Sequence, residues 1–392
     1  MQVVRMTGDL ERVVLYFDAE VSAKAGREPQ NYWVAGQRPG RVEVVGSCVF
    51  LSDLRLSPKR NAVAISEAVT DIHANPVAEE SRKLTFVPKY RRRKVRVTAV
   101  QPLRITETAG GYTVYLDYVM GLVDEAGRLG SDIVCLPESV QYQPGKAKPD
   151  MFEPVSGVYP QMLMERARKY QMYVVAPLYE RRGEALYNVA LIIDRQGEIA
   201  GRYQKIFVTE GAKVIPGEGF DVFETDFGVI GVMICFDILY PEGPAIMALR
   251  GAEVVFFPHG IGGVQTSEDL VVSTSRVRAT DNGVYVVPSG FGRRIDRGEG
   301  NFGRSCVIDP SGVILADAGH GPGLASVVVD LEAVRFVEGY GGPARFNVAR
   351  DRLICERRAD ILQELADVAR DRCEEMWYHR RYGVRGERKL AC

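Results

Sequence analysis

The stretch Gly231-Val232-Met233-Ile234-Cys235-Phe236-Asp237-Ile238-Leu239-Tyr240-Pro241-Glu242 decides how this chain is read. Gly231 to Ile234 has the character of a buried strand and delivers Cys235 at its end. A short polar turn, Phe236-Asp237, follows, and Pro241-Glu242 reads as the first turn of a helix. A strand that ends on a nucleophile and turns sharply into a helix holds the reactive atom at the edge of a sheet. Backbone N–H groups just past it are then free to bind an oxyanion. Cysteine suits such a place, because a thiolate is a strong nucleophile once a neighbour lowers its pKa.

Working outward, the pattern is regular from Val95 onward. Strands are expected at Val95 to Gln101, Ser131 to Leu136, Met172 to Pro177, Phe220 to Thr225, Val229 to Ile234, Ala252 to Phe257 and Gly283 to Pro288. Leu186 to Asp194 and Glu198 to Lys205 read as a hairpin about the turn Arg195-Gln196-Gly197. Gly303 to Asp309, Gly312 to Ala318 and Ala325 to Asp330 read as late strands. Helices are expected at Tyr112 to Leu129, with Val114, Tyr118, Leu122 and Ala126 on one face, and at Pro160 to Tyr170, Glu242 to Arg250 and Ser267 to Thr280. Strands alternating with helices, plus hairpins, indicate a layered α/β domain with mixed sheets. The basic run Lys89 to Lys94 reads as a solvated boundary. Before it, Arg12 to Phe17, Arg41 to Leu51 and Asn61 to Ile65 are strand-like and separated by Gly, Pro and Asn. The organisation expected is residues 1–92 as a β-rich module or arm, 93–345 as the catalytic domain and 346–392 as a helical tail. In the tail, Ile354, Ile361, Leu362, Leu365 and Val368 line one side of an amphipathic helix, the usual mark of a packing or oligomer element.

Composition narrows the function. The chain is 46% apolar and 26% charged, and 50 basic residues against 51 acidic ones leave a net charge of −1. That balance gives no reason to expect nucleic acid or an anionic membrane as the main partner. No apolar run approaches the ~20 residues that span a bilayer, and the opening residues lack the apolar core of a signal peptide. Seven cysteines, none in a C-x-x-C pair, make a reducing cytoplasm the expected location. No histidine spacing suggests zinc, and the glycine-rich segments lack a phosphate-loop pattern.

Three strand ends then belong together. Glu138 closes Asp132 to Pro137, Lys205 closes Gly201 to Gln204, and Cys235 closes the run quoted above. Residues at the ends of neighbouring strands in an α/β sheet converge on one crevice. A carboxylate, an ammonium and a thiol meeting there can cleave a C–N bond. The lysine cation is expected to lower the thiol pKa. Glu138 is expected to take the thiol proton, pass it to the leaving amine and then activate water. The Phe236 N–H and the Lys205 ammonium would hold the oxyanion. Taken singly, each residue has a bland reading: a helix cap, a solvated strand lysine, a core cysteine. Their conjunction, each ending its own strand in the order Glu, Lys, Cys, carries the argument.

DIVCLPE (132–138), GRYQK (201–205) and GVMICFDILYPE (231–242) resemble the three signature blocks of the nitrilase superfamily of carbon–nitrogen hydrolases. Arg276 to Val286 resembles its RARAxEN block, with Asp281 in place of the usual Glu. Gly303 to Gly312 resembles its GxSxIxxPxG block. The resemblance spans roughly residues 95 to 335 and implies a four-layer αββα sandwich, here with an added N-terminal β-rich module and a C-terminal helical tail. It implies a Glu138-Lys205-Cys235 triad with no metal or other cofactor, and pairing into homodimers or larger homo-oligomers. It also implies a supporting glutamate, matched by Glu210 six residues before Pro216-Gly217. Phe236-Asp237 after the nucleophile is closer to the amidase-like and carbamoylase-like branches than to true nitrilases, which place Trp-Glu there. Pocket walls come from loops that include Tyr142 and His259, both candidate substrate contacts. The expected activity is hydrolysis of a non-peptide carboxamide or an N-carbamoyl small molecule through an acyl-thioester on Cys235. The competing readings are nitrile hydrolysis, acyl transfer to an amine, an inactive scaffold that keeps the fold, and a Cys-His hydrolase using His259 or His320.

Overall fold

The computed structural model describes residues 1–8, 13–56, 61–86, 94–104, 111–144, 146–208, 213–261, 268–293, 303–331 and 357–375. Two compact units divide the chain: residues 1–92 with 351–358, and 93–350 with 359–392.

Among the described residues the first unit has seven strands: β1 (Val3–Gly8), β2 (Val13–Phe17), β3 (Tyr32–Val34), β4 (Arg41–Val45), β5 (Cys48–Ser52), β6 (Asn61–Ile65) and β7 (Lys83–Phe86), with a short α-helix, α1 (Ala23–Gly26). They form a four-stranded sheet in the order β1-β2-β5-β4 and a three-stranded one in the order β3-β6-β7. Val13, Leu15, Phe17, Val49, Leu51, Val63 and Ile65 share its core, the inward set of strands that alternate in and out. The run Arg41 to Leu51 is not one strand. It folds back at Gly46, whose φ of +55 admits a tight turn, so that Val45 pairs with Cys48. Cys48 is disulfide-bonded, which the scattered cysteines of the sequence did not foretell.

In the second unit β8 (Lys94–Gln101), β9 (Ile133–Cys135) and β10 (Tyr173–Arg182) lie parallel, flanked by β11 (Ala185–Ile193), β12 (Ile199–Gln204) and, beyond β8, β19 (Gly323–Asp330). The second sheet runs β13 (Val222–Glu224), β14 (Val229–Val232), β15 (Val254–Pro258), β16 (Tyr285–Ser289), β17 (Cys306–Ile308), β18 (Ile314–Asp317), with β14, β15 and β16 parallel. Helices α2 (Gly111–Arg128) and α3 (Val158–Tyr170) cover the first sheet. Helices α4 (Glu242–Leu249) and α5 (Glu268–Asn282) belong to the second, and α6 (Ala359–Glu375) ends the described chain.

Alternation along the strands explains the layers. Val97, Ala99, Ile133, Cys135, Val175 and Ile192 point into a core shared with Ile230, Val232, Val255 and Phe257 of the other sheet. Their neighbours Val100, Val134, Val174 and Leu191 point the opposite way, onto Leu116, Val119 and Met120 of α2 and Leu163 of α3. Strands covered on both faces read as continuous apolar runs, which is why the sequence displays them clearly.

Two sequence expectations need correction. The buried face of α2 is Tyr115, Leu116, Val119, Met120, Val123 and Ala126, while Val114 and Tyr118 are exposed. Steps of four residues advance 400° and drift off a single face, so of the expected stripe Ala126 is buried and Leu122 is partly buried against the same core, while Val114 and Tyr118 face outward. The strand from Met172 does not stop at Pro177 but runs to Arg182 and pairs antiparallel with β11 from Val174↔Ile193 to Arg182↔Ala185. That long hairpin aims β11, and with it Asn188, toward the site.

Candidate active site

The site lies where the chain leaves β9, β12, β14 and β15. Glu138 stands three residues beyond β9, and Ser139 after it takes a left-handed φ of +70. Lys205 is the first residue past β12. Its N–H donates to the Asn188 carbonyl at 2.9 Å and its own carbonyl accepts from Gly217 N–H at 2.8 Å, which fixes the backbone from both sides. Cys235 opens a single 3-10 turn, Cys235–Leu239, and has φ +52. Left-handed backbone at a residue with a Cβ costs roughly 1–2 kcal/mol and persists where the surroundings enforce it. Here Asp237 enforces it. Its buried carboxylate accepts from Ile234 N–H at 3.0 Å, Phe207 N–H at 2.9 Å and Tyr203 O–H at 2.7 Å. One side chain thereby joins the cysteine turn to the strand and loop on either side of Lys205. The Phe236 N–H, the next donor after the nucleophile, makes no hydrogen bond among the described residues.

The three strand-end residues meet. Lys205 Nζ donates to Glu138 Oε1 at 2.8 Å, with both side chains over nine-tenths buried. Asn188 Nδ2 donates to the same oxygen at 2.8 Å. Gly260 N–H, at the end of β15, donates to Glu138 Oε2 at 3.2 Å and also serves the Cys235 sulfur. Cys235 in turn hydrogen-bonds Glu138.

The charges follow from these contacts. Burial by itself would raise the Glu138 carboxyl. The Lys205 cation and the hydrogen bonds of Lys205, Asn188 and Cys235 outweigh it and hold the group down at about 2. Burial would lower the Lys205 ammonium, but Glu138 and Cys235 keep it raised. Cys235 is pushed up to about 12, first by desolvation and then by the Glu138 charge, against a smaller opposing pull from Lys205. The expectation that the lysine leaves Cys235 with a lowered pKa is therefore corrected: Lys205 acts in that direction and is outweighed. The resting site is a carboxylate, an ammonium and a neutral thiol, so the thiol must lose its proton during attack.

The remaining candidates lie nearby at different depths. His259, 2% exposed, stacks on Phe257 at 5.1 Å and presses against Gly290. Burial pushes its pKa down to about 4, so the ring is neutral. Tyr142 is 36% exposed, and the Arg104 guanidinium sits over its ring at 4.8 Å. Phe236 is 37% exposed and packs edge-on to Tyr240. Glu210 lies outside the described residues. Sequence reasoning missed Asn188 and Gly260. Asn188 carries a visible signal, a lone amide in the apolar run Leu186 to Ile193, whereas a backbone N–H such as that of Gly260 has none.

The layered arrangement is the nitrilase fold. A carbon-nitrogen hydrolase from Helicobacter pylori G27 superposes with a TM-score of 0.58 at 24% identity, covering 70% of this chain and 98% of that one. An amidase from Nesterenkonia sp. superposes with a TM-score of 0.55 at 22% identity, over 70% of this chain and 97% of that one. The carbon-nitrogen hydrolase family model matches residues 96–338, and the chain belongs to that family. The omega-amidase NIT2 of Bos taurus is 30% identical over 225 residues, 54% of this chain and 81% of that protein. A protein named nitrilase from Pyrococcus abyssi is 33% identical over 269 residues, 66% of this chain and 90% of that one.

Proposed function

We propose that the protein hydrolyses the C–N bond of a non-peptide carboxamide or N-carbamoyl compound through an acyl-thioester on Cys235. The observation that carries this reading is the Glu138 carboxylate, anchored on one oxygen by Lys205 and Asn188 and hydrogen-bonded to Cys235. Glu138 removes the thiol proton as sulfur attacks the carbonyl carbon. The tetrahedral oxyanion rests on the Phe236 N–H and the Lys205 ammonium. Glu138 then returns its proton to the departing nitrogen, the C–N bond breaks, and ammonia or an amine leaves a thioester. Water, deprotonated by the same carboxylate, attacks the thioester carbon. The second tetrahedral species collapses with cleavage of the C–S bond, and the proton returns to Cys235. An amide rather than a nitrile is favoured by Phe236-Asp237 after the nucleophile and by the names omega-amidase and deaminated glutathione amidase among the relatives.

Intact mass measurement of the protein with a library of amides, carbamoyl compounds and paired nitriles tests this. An acyl increment on Cys235 that is absent from Cys235→Ala supports the reading. Turnover that survives Cys235→Ala ends it. Nitrile turnover without amide turnover would select the nitrile reading, and acyl-amine products formed with added amine would select transfer.

Two further points belong to the same reading. A homodimer or larger assembly is supported by the exposed apolar side chains Leu239, Ile246, Leu270 and Val277 around α4 and α5, and light scattering tests it. No described helix is long and apolar enough to cross a membrane. A cytoplasmic location is the reading carried from the cysteine pattern. The disulfide at Cys48 bears against it, and thiol alkylation of protein from its native compartment decides.

A further inference from the structure

The strand β10 loses its neighbour partway along, and a side chain takes over. Odd-numbered residues of β10 turn their main-chain groups toward β9: Tyr173 N–H donates to the Asp132 carbonyl at 2.8 Å, and the Val175 carbonyl accepts from Leu136 N–H at 3.2 Å. Beyond Leu136 the chain swings away to bring Glu138 to Cys235, while β10 runs on to Arg182. Pro177 has no N–H to leave unpaired. Tyr179 has one, and the Gln141 side chain meets it. Gln141 Oε1 accepts from Tyr179 N–H at 2.6 Å, and Nε2 reaches back to the Tyr179 carbonyl at 3.3 Å. The amide thus serves both main-chain groups of one residue, as the peptide groups of a neighbouring strand would. Nε2 also donates to Glu153 Oε1 at 2.8 Å and to the Met151 carbonyl at 3.3 Å. Its two ends cannot be exchanged, since an N–H lies on one side and carbonyls and a carboxylate on the other. Gln141 is 2% exposed.

A single turn leads from this anchor back to the base. The Ser139 carbonyl accepts from Tyr142 N–H at 3.0 Å, which closes residues 139–142 on themselves. Ser139 has its left-handed φ of +70 inside that turn, and its hydroxyl hydrogen-bonds the Tyr179 hydroxyl. Glu138 is the residue before it. We propose that Gln141 is a positioning residue for the Glu138 base: its side-chain amide stands in for the strand that β10 loses beyond Leu136, and so holds the turn that carries the carboxylate to Cys235. The role rests on the hydrolase reading above and adds to it a part that touches no reacting atom. Glu138 must serve the thiol, the leaving nitrogen and the water in turn, so a displacement of about 1 Å costs about 100-fold in rate.

Gln141→Leu keeps much of the volume and removes both ends of the amide. With butyramide and N-carbamoylglycine as probes, kcat per acylatable Cys235 is expected to fall about 10- to 100-fold while KM stays within about threefold. The acid limb of the pH–rate profile moves upward, because a carboxylate drifting from Lys205 and Asn188 is held less low. Gln141→Glu is the conditional variant. Its neutral carboxyl offers one acceptor and one donor, as the amide does, but its carboxylate opposes Glu153 and the Tyr179 carbonyl. The titratable groups around this point, Glu153 with Lys146 and Tyr112 near it and Tyr179 with Lys148 over its ring, are the same in wild type. The ratio of variant to wild-type kcat therefore isolates the new carboxyl. That ratio is expected to rise about 10-fold as pH falls from about 8 to about 5, because burial beside Glu153 raises the new group's pKa. Thermal melts at each pH confirm that both variants are folded under assay. Wild-type kcat in Gln141→Leu overturns the positioning role and leaves the hydrolase reading standing. So does a slowed Gln141→Leu whose acid limb is unmoved, together with a Gln141→Glu ratio flat with pH. Failure of wild type to turn over either probe or to acylate Cys235 overturns both.

Discussion

The Asn188 side-chain amide donates to Glu138 Oε1 at 2.8 Å, on the same oxygen that Lys205 reaches. Its backbone carbonyl meanwhile accepts the Lys205 N–H at 2.9 Å. Asn188 thus sets the position of the base directly and that of the cation through the main chain. Only the first of these contacts depends on the side chain. Asn188→Ala therefore keeps the β11–β12 pairing and removes one of the hydrogen bonds that hold the Glu138 carboxyl low. The expected result is a kcat reduced about 10-fold or more, with the acid limb of the pH–rate profile moved upward. An unmoved acid limb would mean that Asn188 only fills space.

The charge arrangement makes a prediction about the thiol itself. Desolvation raises Cys235, and the Glu138 carboxylate raises it further while Lys205 pulls down. Replacing Glu138 by Gln removes the neighbouring negative charge and keeps the cation. The thiol of Glu138→Gln should then titrate below that of wild type, though still above a free cysteine because burial remains, while turnover falls by 100-fold or more. Thiolate absorbance against pH, with Cys235→Ala as the blank, measures this. A higher thiol pKa in Glu138→Gln would show that the carboxylate stabilises a thiolate and that the resting ionisation is reversed.

Asp237 yields a separate prediction, because all three of its hydrogen bonds are accepted from neighbours. Asp237→Asn turns one acceptor into a donor facing the N–H of Ile234 or Phe207, a buried donor–donor clash expected to cost roughly 1–3 kcal/mol. The φ +52 turn at Cys235 would then lose its enforcement, so kcat should fall along with Tm. Tyr203→Phe removes only one donor and should be milder on both readouts. If Asp237→Asn lowers Tm but leaves kcat untouched, the carboxylate supports the fold and not the nucleophile.

Most of the frame was legible in the sequence for a physical reason: strands buried on both faces spell continuous apolar runs, and Glu138, Lys205 and Cys235 are the polar residues that end them. The same logic failed where two elements compete for one pattern. On α2 the wrong stripe was chosen, because Val114 and Tyr118 are apolar yet face outward. The sign of the Cys235 shift was also out of reach, since sequence names the charges around a thiol but not the desolvation that outweighs them. Arg104 is legible only in three dimensions: nothing local in Gln101-Pro102-Leu103-Arg104 shows that two rings will clamp it.

The buried ionisable groups also fix how stability depends on acid. His259 is neutral and pushed down to about 4, below the ~6.5 of an unfolded histidine. Between those values the unfolded chain holds the extra proton, so stability declines as pH falls from 6.5 to 4, by on the order of 3 kcal/mol, and this contribution then levels off. Glu138, held at about 2 against ~4.3 unfolded, adds a second decline as pH falls from about 4.5 toward 2. The two windows abut, and each can be removed alone. In urea unfolding across pH 7.5 to 3, His259→Gln should lack the upper decline and keep the lower one, while Glu138→Gln does the reverse. A His259→Gln curve parallel to wild type between pH 6.5 and 4 would mean that the ring is charged in the folded protein, and the neutral wall behind Glu138 would have to be redrawn.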